Sequence, residues 1–219
     1  MQITVTDYLD VVSSWCFWSE PTWAELKKRY DGRVTFQWKI ALMDPVGLPT
    51  SREQEQWFYR RSGIMNRSPF MLNTDWYDAS LKEWLPPNFV AEAAKDFGIN
   101  DDRVRLALSR AALHEGKKVS DWNVCADVAA SSAKIDKAKL LHAAQSPAVE
   151  KRVRESTAEF HAMQISQRPT FVIDTEIGDR AILSGVVKLE PVAATIDSML
   201  EDAEFYAAYK AHHGDPPPK

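Results

Sequence analysis

The stretch Ile3-Thr4-Val5-Thr6-Asp7-Tyr8-Leu9-Asp10-Val11-Val12-Ser13-Ser14-Trp15-Cys16-Phe17 decides the fold. Its first six residues alternate apolar and polar, the period of a half-buried strand. Ser13 then opens a segment that runs as a helix towards Tyr30. Trp23, Leu26 and Tyr30 recur there at three- and four-residue spacing and share one face. From Arg33 to Leu42 the alternation returns, with Val34, Phe36, Trp38 and Ile40 set against Thr35, Gln37 and Lys39. Strand, helix, strand in that order predicts a right-handed βαβ unit with a parallel pair.

Outward from this unit the pattern changes. Residues 51 to about 165 carry almost only helical signals: 51–61, 88–97, a segment 101–115 capped by Asn100, then 121–131 and 136–145. Ser146-Pro147 opens a longer helix with an apolar stripe of Val149, Val153, Phe160 and Met163. Strand signals resume at Thr170-Phe171-Val172-Ile173 and Ala181-Ile182-Leu183-Ser184, spaced for a hairpin. A last helix is expected from Pro191, with Val192, Ile196, Met199 and Ala203 on one face. The fold class is therefore α/β. A core of residues 1–48 and 166–208 receives a helical insertion of residues 49–165, and residues 209–219 form a polar tail expected to be disordered.

The chain has 219 residues, 45% hydrophobic and 26% charged, with a formal charge of −4. That balance gives nucleic acid no basic footprint to bind. No apolar run approaches the ~20 residues of a membrane helix, and strand signals begin at Ile3 without a leader-like segment before them. A cytoplasmic location and no membrane partner are the expectations. Two cysteines, Cys16 and Cys125, allow no disulfide framework, and no Cys/His spacing suits zinc. Trp57, Phe58, Tyr59, Phe70, Trp76, Tyr77, Trp84 and Phe89 are expected mostly in the core, with some lining a pocket against it.

Two segments can carry chemistry. Ser13 to Cys16 lies where a strand gives way to a helix, and a helix N-terminus stabilises an anion. A thiol there has a lowered pKa, although Cys16 lies about one turn inside. Cys16 can equally be a small buried apolar residue. Ser13 offers a hydroxyl donor to a sulfur or oxygen anion. The second segment is Gln167-Arg168-Pro169-Thr170. Proline directly before a β-branched strand is either a trans residue at a sheet edge or a cis turn that leaves backbone groups free. Arg168 itself reads as a surface arginine or as an attractor for an anionic group.

Together these segments resemble a known family. Asp10-Val11-Val12-Ser13-Ser14-Trp15-Cys16-Phe17 is similar to the Cys-Pro-Trp-Cys segment of FrnE-type DsbA proteins. Pro21 matches the offset of the proline inside the first thioredoxin helix. Ala162 to Ile173, with Arg168-Pro169-Thr170-Phe171-Val172, resembles the family's proline segment, which faces the redox motif in a cis conformation. The resemblance runs from about Ile3 to Leu200. It implies a thioredoxin-like fold with an inserted all-helical domain.

It also implies thiol–disulfide oxidoreduction, with departures. Ser13 stands where the family has its attacking cysteine, and Ser14 where it has proline. The leading expectation is an atypical oxidoreductase acting as a monothiol through Cys16, without a tightly bound cofactor. Ser13 would donate to the sulfur, and Ser14, Trp15, Arg168 and Pro169 would contact a thiol or disulfide substrate. A serine here also resembles 2-hydroxychromene-2-carboxylate isomerases and kappa-class glutathione transferases. In that reading Ser13 holds the thiolate of glutathione, the Arg168 backbone pairs with the peptide, and a small molecule is the second substrate. Those relatives carry an acidic residue after the last strand, where this chain has Gly185-Val186-Val187-Lys188. A non-catalytic binding module is the third reading. A homodimer is compatible with all three.

Overall fold

The computed structural model describes residues 3–81 and 83–214. Strand β1 (Ile3–Leu9) leads into helix α1 (Ser14–Arg29), and β2 (Val34–Ile40) follows. Helices α2 (Arg52–Met65), α3 (Leu85–Ala93), α4 (Arg103–Leu113), α5 (Trp122–Ala133), α6 (Lys137–Ala144) and α7 (Pro147–Ala162) come next. Strands β3 (Thr170–Thr175) and β4 (Arg180–Ser184) and helix α8 (Leu189–His213) complete the chain. The sheet order is β2-β1-β3-β4. The β1–β2 pair is parallel, whereas β1–β3 and β3–β4 are antiparallel.

Strand alternation assigns each face its helices. Ile3 and Val5 of β1 join Phe171 and Ile173 of β3 beneath Trp23, Leu26 and Tyr30 of α1 and Val192, Ile196 and Met199 of α8. On the opposite face Tyr8 and Val172 pack on Phe160 of α7. A larger apolar cluster joins Leu9, Trp38 and Ile40 to Phe89 and Val90 of α3, Leu108 of α4 and Val153 of α7. The helical block is thus seated on the sheet end where β1 hands over to α1.

Three local expectations change. Asn100 does not cap α4. The helix starts at Arg103 after Asp102, whose side chain makes no capping bond, and Asp101 accepts the Arg103 N–H instead, at 3.0 Å. The last helix begins at Leu189, two residues before Pro191, because proline is tolerated in a first turn whose N–H groups lack helical partners. Residues 209–213, expected in the tail, continue α8, so His212 and His213 are helical. Residues 215–219 of that expected tail lie outside the described residues.

Candidate functional site

The loop from β1 to α1 is held by a carboxylate and an amide. Asp10 accepts hydrogen bonds from the Val12 N–H at 3.0 Å, the Met43 N–H at 3.1 Å and Asn88 Nδ2 at 3.0 Å. Asn88, on α3, accepts in turn from the Val11 N–H at 2.9 Å. Burial still raises the Asp10 carboxyl above its usual range, opposed chiefly by the Val12 and Met43 N–H groups. This clamp fixes Ser13, whose N–H bonds to the Asp10 carbonyl at 3.1 Å. Ser13 is the N-cap of α1, and its Oγ accepts from the Cys16 N–H at 3.4 Å.

The two candidate side chains have opposite prospects. Cys16 is 3% exposed and belongs to the core cluster around Leu9, Trp38 and Phe89. Burial pushes its thiol far above the ordinary range. The charge of Asp7 adds to this, and the Ser13 hydroxyl only partly offsets it. Desolvation therefore works against the activation expected at the helix N-terminus. Ser13 and Ser14 are also buried, whereas Trp15 is half-buried.

The second segment meets the first through the sheet. Tyr8 pairs with Thr170, so the chain just before β3 lies at the end of β1 from which the loop to Ser13 departs. The Arg168–Pro169 peptide bond is cis. Pro169 accepts the Gly185 N–H at 2.9 Å, and Thr170 Oγ1 donates to the Gln167 carbonyl at 2.6 Å. Gly185 has φ +71°, and an added Cβ would come within 3.3 Å of Gln167 Cβ, so this close approach requires glycine. Among the described residues the Arg168 main chain makes no hydrogen bond.

The Arg168 side chain corrects both readings of it. It is buried, and its guanidinium donates to the carbonyls of Ala41, Ser166 and Leu42 while lying 4.5 Å from the centre of the Phe160 ring. It is therefore neither a surface group nor a free anion receptor. It ties the proline turn to the end of β2.

A cavity of about 1310 Å³ opens beside the next turn of α1. Phe17, Trp18 and Phe70 line it as an aromatic wall. The Phe17–Trp18 centroids are 5.1 Å apart, and those of Trp18 and Phe70 5.4 Å. Trp18 Nε1 donates to Ser62 Oγ of α2 at 3.1 Å. Below it α1 and α4 share a buried ion cluster. Arg105, 2% exposed, donates to Asp102 at 2.7 and 3.0 Å and pairs with Glu20, while Lys27 pairs with Asp102 from the other side. Asp7 lies behind this cluster with its Oδ1 unpartnered, and burial pushes its carboxyl up to about 8 against the pull of Arg105.

The profile of DSBA-like thioredoxin domains matches residues 4–197. The chain belongs to that family. Solved structures agree with this DSBA-like fold. A Nitrosomonas europaea protein, provisionally assigned as a protein disulfide isomerase, matches with a TM-score of 0.77 at 15% identity, covering 92% of this chain and 99% of that one. The cytosolic disulfide reductase DsbM from Pseudomonas aeruginosa matches with a TM-score of 0.70 at 19% identity, covering 90% and 98%. Its structure with GSH gives 0.69 at 17% identity, over 90% and 99%. A search of curated proteins gives no match. Among the described residues no group of metal-ligating side chains forms, and no helix is long and apolar enough to cross a membrane.

This DSBA-like domain thus has Ser13, Cys16 and the Arg168–Pro169 turn at one end of the sheet. Sequence reading missed Trp18 as a cavity residue and the Glu20–Arg105–Asp102 cluster. Trp18 had a readable signal, because it falls off the stripe of Trp23, Leu26 and Tyr30. The Arg105–Glu20 pair had none, since Glu20 lies 85 residues away on another helix.

Proposed function

We propose that this domain works with a sulfur it does not itself supply. A small thiol peptide of the glutathione kind is held at Ser13, and a second, small-molecule substrate occupies the neighbouring cavity for an isomerisation or transfer. The burial of Cys16 carries this reading: the chain's own thiol is desolvated and enclosed by core residues, whereas the serine beside it heads the helix. Ser13 Oγ accepts the Cys16 N–H, which leaves its own O–H to donate to an incoming thiolate. The N-terminus of α1 adds stabilisation to a sulfur anion. The unpaired main chain of Arg168, presented by the cis turn, suits an extended peptide backbone. The aromatic wall of Phe17, Trp18 and Phe70 suits an apolar second substrate. That DsbM, a protein of the same fold, has been solved with GSH supports a glutathione-type ligand here.

The test is a titration with reduced glutathione, followed by tryptophan fluorescence, on native protein, Ser13→Ala and Cys16→Ala. Native protein and Cys16→Ala are expected to bind alike, with Ser13→Ala about tenfold weaker for the loss of one charge-assisted hydrogen bond. A mixed disulfide on Cys16 after incubation with oxidised glutathione, seen by intact mass and absent from Cys16→Ala, would overturn the reading in favour of a monothiol oxidoreductase. Absence of glutathione binding in the native protein would overturn it in favour of a non-catalytic binding module.

A further inference from the structure

Helix α8 has two unlike halves. Through Ala203 it packs on the sheet, with Val192, Ala193, Ile196, Met199 and Ala203 buried. From Glu204 to His213 every residue is exposed. These ten residues make about 15 Å of helix at 1.5 Å per residue. They carry Phe205, 66% exposed, and Tyr209, 61% exposed, one helical turn apart on one face. Two aromatics this exposed on one helical face form an apolar patch that favours a partner.

The charges around that pair are arranged about a centre. At 100° per residue, Glu201 and His212 flank one side of the Phe205–Tyr209 stripe, and Asp202 and His213 flank the other. The acids lie at its N-terminal end and the histidines at its C-terminal end. A twofold axis perpendicular to the helix at Ala207 superposes this pattern on its complement. Phe205 then meets Tyr209 of a second copy, Glu201 meets the second copy's His212, and Asp202 meets the second copy's His213. In an antiparallel pair each flank faces the same flank of its mate, so all four polar contacts form within one residue's rise, about 1.5 Å, of level.

We propose that residues 201–213 of α8 are a self-recognition element through which two copies of this chain pair as an antiparallel, twofold-symmetric dimer. The interface is isologous: each copy contributes the aromatic pair, the acidic end and the imidazole end. Histidine N–H groups donate to carboxylates whether the ring is neutral or protonated. The patch is small beside a standard interface, so the association is a reversible, concentration-dependent one. This inference is independent of the chemistry at Ser13.

Sedimentation equilibrium on the full chain over a concentration series tests it. The mass is expected to rise from 24.8 kDa towards twice that value. Phe205→Glu with Tyr209→Glu is expected to hold the chain monomeric, with unchanged far-UV circular dichroism because both side chains are exposed. The double variant Glu201→Lys/Asp202→Lys is expected to weaken self-association at least about tenfold. So is His212→Arg/His213→Arg when it is mixed with that variant. Mixing Glu201→Lys/Asp202→Lys with His212→Glu/His213→Glu is instead expected to restore dimers, made of one copy of each. A native chain that stays monomeric at its highest soluble concentration would overturn the proposal. So would a dimer that the Phe205→Glu/Tyr209→Glu variant leaves intact, or a swapped mixture that fails to pair.

Discussion

The first turn of α1 holds Ser13, Ser14 and Cys16, all buried and none ordinarily charged at neutral pH. Further along the same helix Glu20 and Lys27 enter the cluster with Asp102 and Arg105, where opposite charges meet with little water between them. The two regions answer desolvation in different ways. In the first turn burial is met by neutrality: the thiol keeps its proton and a hydroxyl caps the helix. In the middle it is met by pairing, with Asp102 held below the usual carboxylate range by Arg105 and Lys27 despite its burial. The first turn carries a serine and a buried thiol, whereas the turns that join core to insertion carry the paired charges. Neutral and charged answers to burial therefore sit on different turns of one helix.

The largest expected effect breaks the paired region. Arg105→Ala leaves Glu20 without its partner and Asp102 with Lys27 alone, so unfolding free energy is expected to fall by about 4 kcal/mol. Urea denaturation measures it through the midpoint at constant slope. A loss under about 1 kcal/mol would mean that water reaches these carboxylates and that the contrast between the two regions is illusory.

Next in size is Asp7, which faces both regions from β1. Its folded pKa of about 8 lies well above the unfolded value of 3.8. Between those values the native state holds a proton that the unfolded state has released, so the contribution of Asp7 falls as pH rises through this window and levels off above it. Asp7→Asn removes that dependence. Relative to the native chain it is expected to gain about 3.5 kcal/mol between pH 5 and pH 8, with little further change at higher pH. Urea midpoints across that range check the sign. A variant whose difference from the native chain stays constant from pH 5 to pH 8 would show that Arg105 holds Asp7 ionised.

The sequence reveals the core because its alternation and helical stripes are local: β1, α1, β2, β3 and β4 all follow from spacing. The paired cluster is silent there, since Arg105 lies 85 residues from Glu20 and becomes informative only when α4 packs on α1. The same limit hid the clamp of Asn88 on the Val11 N–H, 77 residues away. Arg168 shows the reverse error. An arginine before a proline reads as surface, yet the carbonyls of Ala41 and Leu42 at the end of β2 and of Ser166 in the loop before β3 satisfy it when buried. Position in the motif exposed Cys16 as a candidate, but only packing could tell that desolvation outweighs the helix N-terminus.

A smaller effect is expected at the neutral end. Ser13→Ala removes the cap that accepts the Cys16 N–H and should cost about 1 kcal/mol in unfolding free energy. Thermal or urea denaturation reads it directly. A cost near that of Arg105→Ala would mean that the first turn is as structurally committed as the middle.

The smallest change in stability and the sharpest test of the comparison is Ser13→Cys. The introduced thiol would occupy the N-cap, where the N–H groups of the first turn converge, whereas Cys16 points into the core. Stability is expected to move by less than about 1 kcal/mol, since cysteine replaces serine at nearly the same volume. Reactivity is expected to change in kind. With oxidised glutathione the introduced thiolate attacks a glutathione sulfur and releases one glutathione thiolate. Cys16, deprotonating as the sulfurs exchange, then displaces the second and closes an internal disulfide. Intact mass would show the chain two hydrogens lighter, with no lasting adduct. The native chain is expected to show neither adduct nor loss. If the Ser13→Cys thiol proves as inert as Cys16, the first turn is silenced by its enclosure and not by the identity of residue 13, and a small thiol could not reach Ser13 either.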